Sequence, residues 1–195
     1  AWRGHYENNP PYPAMEHNYV GQYRRSFTLD DSWKGQDIFL CIGSATSNVR
    51  VYVNGKEVGY SEDSKLEARF DIGKYVHTGE NLIALEIFRW CDGSYFEDQD
   101  FWRFSGIARG VSVYSRPKNR IENLNVIASA DGKAVVKTWV TKKIKSAVIS
   151  IENSEGEKLA GTTTWFTPKN ASSVVELNVE NPELWTAETP NLYTL

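Results

Sequence analysis

Apolar and polar residues alternate along most of this chain and almost nowhere recur at helical spacing. From Leu82 to Trp90, Ile83, Leu85 and Ile87 fall on one face and Ala84, Glu86 and Phe88 on the other, the two-residue period of a half-buried strand. Val49, Val51 and Val53 alternate with Arg50 and Tyr52, and Asn54-Gly55 follows at once. That dipeptide is the strongest short hairpin signal, so Val58 to Ser61 is expected to return antiparallel. Further strands are predicted at Gly21 to Leu29, Asp37 to Ile42, Ala68 to Ile72 and Gly110 to Ser115. Asp30 to Gly35 reads as a turn and Gly73 to Glu80 as a connection. Residues 1–18, with Pro10, Pro11 and Pro13, read as an extended, irregular arm. Short strands at hairpin spacing without helical periodicity predict a β-sandwich or jelly roll.

The texture changes after Arg116-Pro117-Lys118-Asn119-Arg120, a polar, proline-containing link that divides the chain into residues 1–117 and 118–195. Beyond it, alternating strands are predicted at Ile121 to Ala130, Lys133 to Thr141, Ser146 to Glu152, Lys158 to Trp165 and Ser173 to Val179. In the second of these, Val135, Lys137, Trp139 and Thr141 set the period, and Trp139 is the expected core anchor. A further strand begins at Asn191-Leu192-Tyr193. This count approaches the seven or so strands of an immunoglobulin-like sandwich. The expected class is therefore all-β, with two sandwiches in series. The abrupt opening at Ala1-Trp2 and the strand broken at Leu195 suggest a chain cut from a longer one.

Composition narrows the picture. At 195 residues, 41% hydrophobic and 24% charged, the chain can bury a substantial core. A net charge of −3 without a basic block argues against nucleic acid or an anionic membrane surface as a partner. No apolar run approaches the roughly 20 residues of a spanning helix, and the first residues are not a signal peptide. The compartment, cytoplasmic or periplasmic, stays open. Cys41 and Cys91 have no metal-site or disulfide-framework spacing and read as two free, buried thiols. Seven Trp and ten Tyr are many for this length; such rings stack on sugars, but the simpler reading is that they fill the sandwich cores.

Candidate chemistry sits in one stretch, from Arg89 to Ile107. Between two strands it carries Asp92, Glu97, Asp98 and Asp100, the aromatic residues Tyr95, Phe96, Phe101 and Trp102, and Arg103. Disordered loops are poor in aromatics, so this one is expected to be ordered, partly packed and acidic at its tip. Glycoside hydrolysis needs two opposed carboxyl groups, and Glu97, Asp98 and Asp100 lack an opposed partner elsewhere in the chain. Oxygen ligation of a hard cation, or hydrogen bonding to sugar hydroxyls, suits them better. The alternative is a solvated acidic loop paired with Arg89 and Arg103. His5, His17 and His77 are scattered and read as surface or turn residues. No Ser/His/Asp set and no glycine-rich phosphate loop can be assembled.

The run Asp92-Gly93-Ser94-Tyr95-Phe96-Glu97-Asp98-Gln99-Asp100-Phe101-Trp102-Arg103-Phe104-Ser105-Gly106-Ile107 resembles the signature in the sugar-binding domain of the large β-galactosidases of glycoside hydrolase family 2. The likeness extends through Val53-Asn54-Gly55, Val58-Gly59-Tyr60, Phe70-Asp71-Ile72 and Gly79-Glu80-Asn81. It returns in Asn178 to Tyr193, through Asn181-Pro182-Glu183-Leu184-Trp185. The resemblance implies a galactose-binding-like jelly roll, then an immunoglobulin-like sandwich, then a (β/α)8 barrel that carries the acid/base and nucleophile and is absent here. No catalytic residue is therefore expected in this chain, which would be inactive alone.

By the same resemblance, Asp100 is the aspartate that reaches into the active site to bind a sodium ion and galactose hydroxyls. A second substrate contact, an asparagine in the family, falls at Thr46, with Ser47 and Asn48 beside it as substitutes. Asp92 and Glu62 match positions that help hold a structural magnesium. The implied partners are β-galactosides, through the full-length enzyme, the chain's own barrel, and further copies in a homo-oligomer. Retaining hydrolysis of terminal β-D-galactosides is the implied activity of the whole. A stand-alone carbohydrate-binding or adhesive module is the alternative.

Overall fold

A computed structural model describes residues 9–97, 102, 104–141 and 143–195; Asp98, Asp100 and Arg103, and His5 in the arm, lie outside them. Among the described residues regular structure is strand and short 3-10 turn, with no α-helix. No helix is long and apolar enough to cross a membrane. The chain divides into two compact units, Ala1–Arg116 and Pro117–Leu195.

In the first unit, β1 (Val20–Leu29), β7 (Gly79–Phe88), β4 (Val49–Val53) and β5 (Lys56–Ser61) form one antiparallel sheet in the order β1-β7-β4-β5. β6 (Ala68–Asp71), β2 (Asp37–Ile42) and β9 (Val111–Arg116) form a second, in the order β6-β2-β9. A pair of two-residue strands, β3 (Ala45–Thr46) and β8 (Gly106–Ile107), stands apart from both. The predicted alternation sets which faces meet. Val49, Val51 and Val53 with Ile83, Leu85 and Ile87 from the first sheet pack on Ile38, Leu40 and Ile42 from the second. Each such fully buried aliphatic side chain contributes about 1.5–3 kcal/mol of transfer free energy. The non-consecutive strand order and the two facing sheets make this the expected jelly roll. Cys91 is buried, but Cys41 points to the outer face of β2 and is only half-buried. The odd positions of that strand lie opposite Ile38, Leu40 and Ile42.

In the second unit, β10 (Ile121–Ala128), β11 (Lys133–Val140) and β14 (Ser172–Asn178) form one sheet, and β12 (Ser146–Glu152) pairs with β13 (Lys158–Trp165) in another. Ala134, Val136, Ile149, Ile151, Leu177 and Val179 make the core between them. Here the predicted phase of β11 is wrong. Ala134, Val136, Thr138 and Val140 face inward, and Trp139 lies on the other face with the Lys137 ammonium 4.8 Å from its ring centroid. Both faces of β11 carry apolar residues, so periodicity gave the strand but not its inward side. The strand begun near Tyr193 appears as a bridge, with Glu152 and Thr194 exchanging backbone hydrogen bonds of 2.8 and 2.9 Å.

Candidate functional site

The acidic stretch leaves β7 under tight control. Asn18 brackets Trp90, its Oδ1 accepting from the Trp90 N–H (2.9 Å) and its Nδ2 donating to the Trp90 carbonyl (3.1 Å). The Arg89 N–H donates to the Tyr19 carbonyl (2.9 Å), and its guanidinium lies 5.1 Å from the Trp90 ring centroid. A single 3-10 turn, Asp92–Tyr95, follows. Its buried Ser94 hydroxyl accepts from the Cys91 N–H at 3.1 Å, and the Tyr95 hydroxyl donates to the Tyr12 carbonyl at 3.0 Å. The first part of the stretch is therefore ordered and partly packed, as its aromatic content predicts.

A short loop after β5 holds this segment at both ends. Glu62, at one end, lies with Cys91 and Asp92 so that one ligand atom from each falls within 4.8 Å of the others. The Tyr60 hydroxyl donates to Glu62. Burial pushes the Glu62 carboxyl above its ordinary value; the Tyr60 bond opposes that and the Asp92 carboxyl beside it adds to it. Burial likewise pushes the Tyr60 phenol far up, with Glu62 contributing. These side chains line a cavity of about 390 Å³ together with Tyr12, Arg50 and Trp90. At the other end, Glu97 accepts from the Ser64 N–H (3.3 Å) and from the Ser64 hydroxyl.

Thr46 is buried on β3. Its hydroxyl donates to the Ser64 carbonyl (3.3 Å) and accepts from Lys65 Nζ (3.1 Å). Its neighbours are engaged as well. The Ser47 hydroxyl donates to the Phe88 carbonyl at 3.1 Å, and Asn48 Oδ1 accepts from the Phe88 N–H at 3.3 Å. Because Thr46 pairs with Gly106 across β3 and β8, the strand carrying Thr46 borders the far end of the acidic stretch. Asp100 lies outside the described residues. Around it in sequence, Phe96, Trp102 and Phe104 are 86%, 79% and 72% exposed, and the last two stack with ring centroids 6.1 Å apart. Trp165 and Trp185 are exposed too, and Trp90 is the buried tryptophan among the described residues. Most of these rings do not fill the cores.

Residues 7–117 match the sugar-binding domain of glycosyl hydrolases family 2, and residues 119–195 match a second domain of the same family. The chain belongs to glycoside hydrolase family 2. Over a 208-residue alignment it is 38% identical to a beta-galactosidase of Priestia megaterium, spanning all of this chain and 20% of that protein. It is 36% identical to a beta-galactosidase of Clostridium acetobutylicum, spanning all of this chain and 22% of that protein. The chain thus spans about a fifth of the family 2 relatives it matches. Its fold is shared with an FMN-binding beta-glucuronidase from Faecalibacterium prausnitzii (TM-score 0.74, 25% identity, 90% of this chain, 29% of the other). It is shared also with a beta-D-glucuronidase of Dictyoglomus thermophilum (TM-score 0.69, 28% identity, 90% and 33%). Among family 2 enzymes the chain therefore corresponds to the non-catalytic sugar-binding and immunoglobulin-like domains, and it contains no barrel.

The donor set of the Glu62 cluster can be weighed against magnesium. Two carboxylates are the right oxygen donors, and magnesium usually keeps several waters for the rest of its shell. The Cys91 thiol is a soft donor that adds nothing for such an ion. Glu62 and Asp92 fit in kind. Sequence reasoning singled out that pair but missed Ser64 and Lys65, since a serine and a lysine in a loop beside acids carry no distinguishing pattern. It also treated Glu97 as a site carboxylate, whereas the structure turns it onto Ser64.

Proposed function

We propose that this chain is the N-terminal, non-catalytic part of a retaining β-galactosidase, and that its acidic loop completes the galactose pocket of a catalytic barrel. The observation that carries the reading is the loop itself. It carries the family signature, it is anchored at Glu97, and the rings of Phe96, Trp102 and Phe104, which flank Asp100 in sequence, are exposed. Exposed aromatic surface of this kind marks a surface that another body covers. Full-chain identity of 36–38% to proteins named beta-galactosidase supports the substrate class.

In this reading the chain's contribution is positioning. Groups on a rigid sandwich hold the sugar ring while two barrel carboxylates carry out the displacement. Asp100 would hold sugar hydroxyls and a sodium ion, which when bound supplies a fixed positive charge for the sugar oxygens. Thr46, buried with its hydroxyl engaged by Ser64 and Lys65, would border the pocket from the neighbouring strand, and Glu62 with Asp92 would hold magnesium at the base of the loop. In the full-length enzyme Asp100→Asn is expected to lower kcat/KM by roughly 100-fold or more with unchanged thermal stability. Wild-type kinetics would remove the assigned role.

The same exposed rings favour one other reading, a free-standing saccharide-binding module. Calorimetric titration of the 195-residue chain with galactose and lactose separates the two. Binding at millimolar or tighter concentration supports the module, and no detectable binding supports an incomplete pocket.

A further inference from the structure

The acidic stretch has two feet, and both stand on the loop that follows β5. On the outgoing side the Glu97 carboxylate takes the Ser64 N–H at 3.3 Å and the Ser64 hydroxyl. On the returning side Arg109 Nη1 donates to the carbonyl of Lys65 at 3.0 Å, and the Ala108 N–H donates to the Ser44 carbonyl at 3.3 Å. Ser64 itself is fixed. Its carbonyl accepts from the Ser44 hydroxyl (3.0 Å) and the Thr46 hydroxyl (3.3 Å), and its own hydroxyl also lies 3.1 Å from the Ser47 carbonyl. Ser44, Ser47 and Ser64 are all but completely buried. A carboxylate held by two donors of one buried residue gains charge-assisted bonds and loses its rotational freedom. Each of its oxygens already accepts a bond from Ser64, so its orientation is set by the loop and not by a sugar or a cation.

We propose that Glu97 is a positioning residue. Its bond to Ser64 sets the point from which the eight residues 98–105 depart, and so sets the reach of Asp100. The proposal rests on the role given to Asp100 above, but the anchor can be tested without it. In this network Lys65 donates to the Thr46 hydroxyl, which donates to the Ser64 carbonyl, and this accounts for a buried threonine at a place where the resemblance implies a sugar contact.

The first experiment uses the 195-residue chain. Glu97→Ala is expected to speed hydrogen exchange at the amides of residues 92–97 and 104–108 by roughly 10-fold or more, with exchange in β4 and β7 unchanged. Ser64→Ala should do the same, and the double variant should add little, as expected of two partners in one interaction. Glu97→Gln keeps an oxygen for the Ser64 N–H and should restore most of the protection. The second experiment uses the full-length enzyme, where Glu97→Ala should raise KM for a galactoside roughly 10-fold, with Glu97→Gln again recovering most of the loss. Unchanged exchange in Glu97→Ala overturns the anchor. Unchanged KM, where Asp100→Asn lowers kcat/KM as expected, overturns the positioning role and leaves the reading of Asp100 standing. A silent Asp100→Asn removes that reading, and the exchange data then decide the anchor alone.

Discussion

Asn81 shows how much of this fold hangs on single polar side chains. It is buried, and its amide makes four hydrogen bonds. Its Oδ1 accepts from the His77 N–H (3.0 Å) and Asn54 Nδ2 (2.8 Å), and its Nδ2 donates to the carbonyls of His77 (2.7 Å) and Gly79 (2.9 Å). Removing the amide breaks all four of these bonds at once around a buried side chain. Asn81→Ala is therefore expected to cost about 2–4 kcal/mol, read as a fall in the urea midpoint at constant slope. A second residue, Asp131, gives the pH dependence a sign. Bonds from the Ser129 hydroxyl and the Lys133 N–H hold its carboxyl below the ordinary value of 3.8. A depressed folded-state pKa contributes stability that is present above 3.8 and lost as pH falls through the folded value. Asn at this position still accepts both bonds but does not titrate. Thermal melts between about pH 6 and pH 3 should thus show a smaller acid-induced loss in Asp131→Asn than in the wild type. An equal loss would locate the acid sensitivity elsewhere.

At the scale of elements, the β4–β5 hairpin was the most legible feature. Asn54 and Gly55 both take positive φ, 48° and 76°, as a two-residue turn matched to strand twist requires. Gly55→Ala meets no neighbouring atom, so its cost is purely that of the left-handed backbone, about 1–2 kcal/mol, measurable by the same urea midpoint. Strands with one apolar face, such as β4 and β7, were readable with their orientation because only one phase of the alternation buries Val and Ile. β11 was readable as a strand only. Val135 and Trp139 on one side compete with Ala134, Val136 and Val140 on the other, and the partner sheet decides between them. β3 and β8 were invisible for a different reason. Two residues carry no period, and these strands exist because distant segments meet. The same limit hid the Ser64–Glu97 bond, since partners 33 residues apart leave no local trace. The acidic stretch was legible as a site from its composition, and its family from its letters. Which of its acids point inward was legible from neither.

At the scale of the whole molecule, the two hydrophobic clusters share no residue. One is drawn from Leu29 to Ile87, the other from Ala134 to Val179. Each unit thus closes its own core, and damage to one core should be felt first by the unit that owns it. Gly132 offers a clean lesion. It turns the chain between β10 and β11 at φ +89°, and a Cβ there would meet the Val179 carbonyl oxygen at 2.1 Å. That oxygen cannot simply withdraw, because the Val179 N–H donates to the Gly132 carbonyl at 2.9 Å, and Val179 belongs to the core of the second unit. Left-handed strain and a backbone clash together make Gly132→Ala cost about 3 kcal/mol. Residue-resolved hydrogen exchange should then show residues 117–195 losing protection at a denaturant concentration where β4 and β7 keep theirs. Loss of protection in β4 and β7 at that same concentration would show instead that the two units unfold as one.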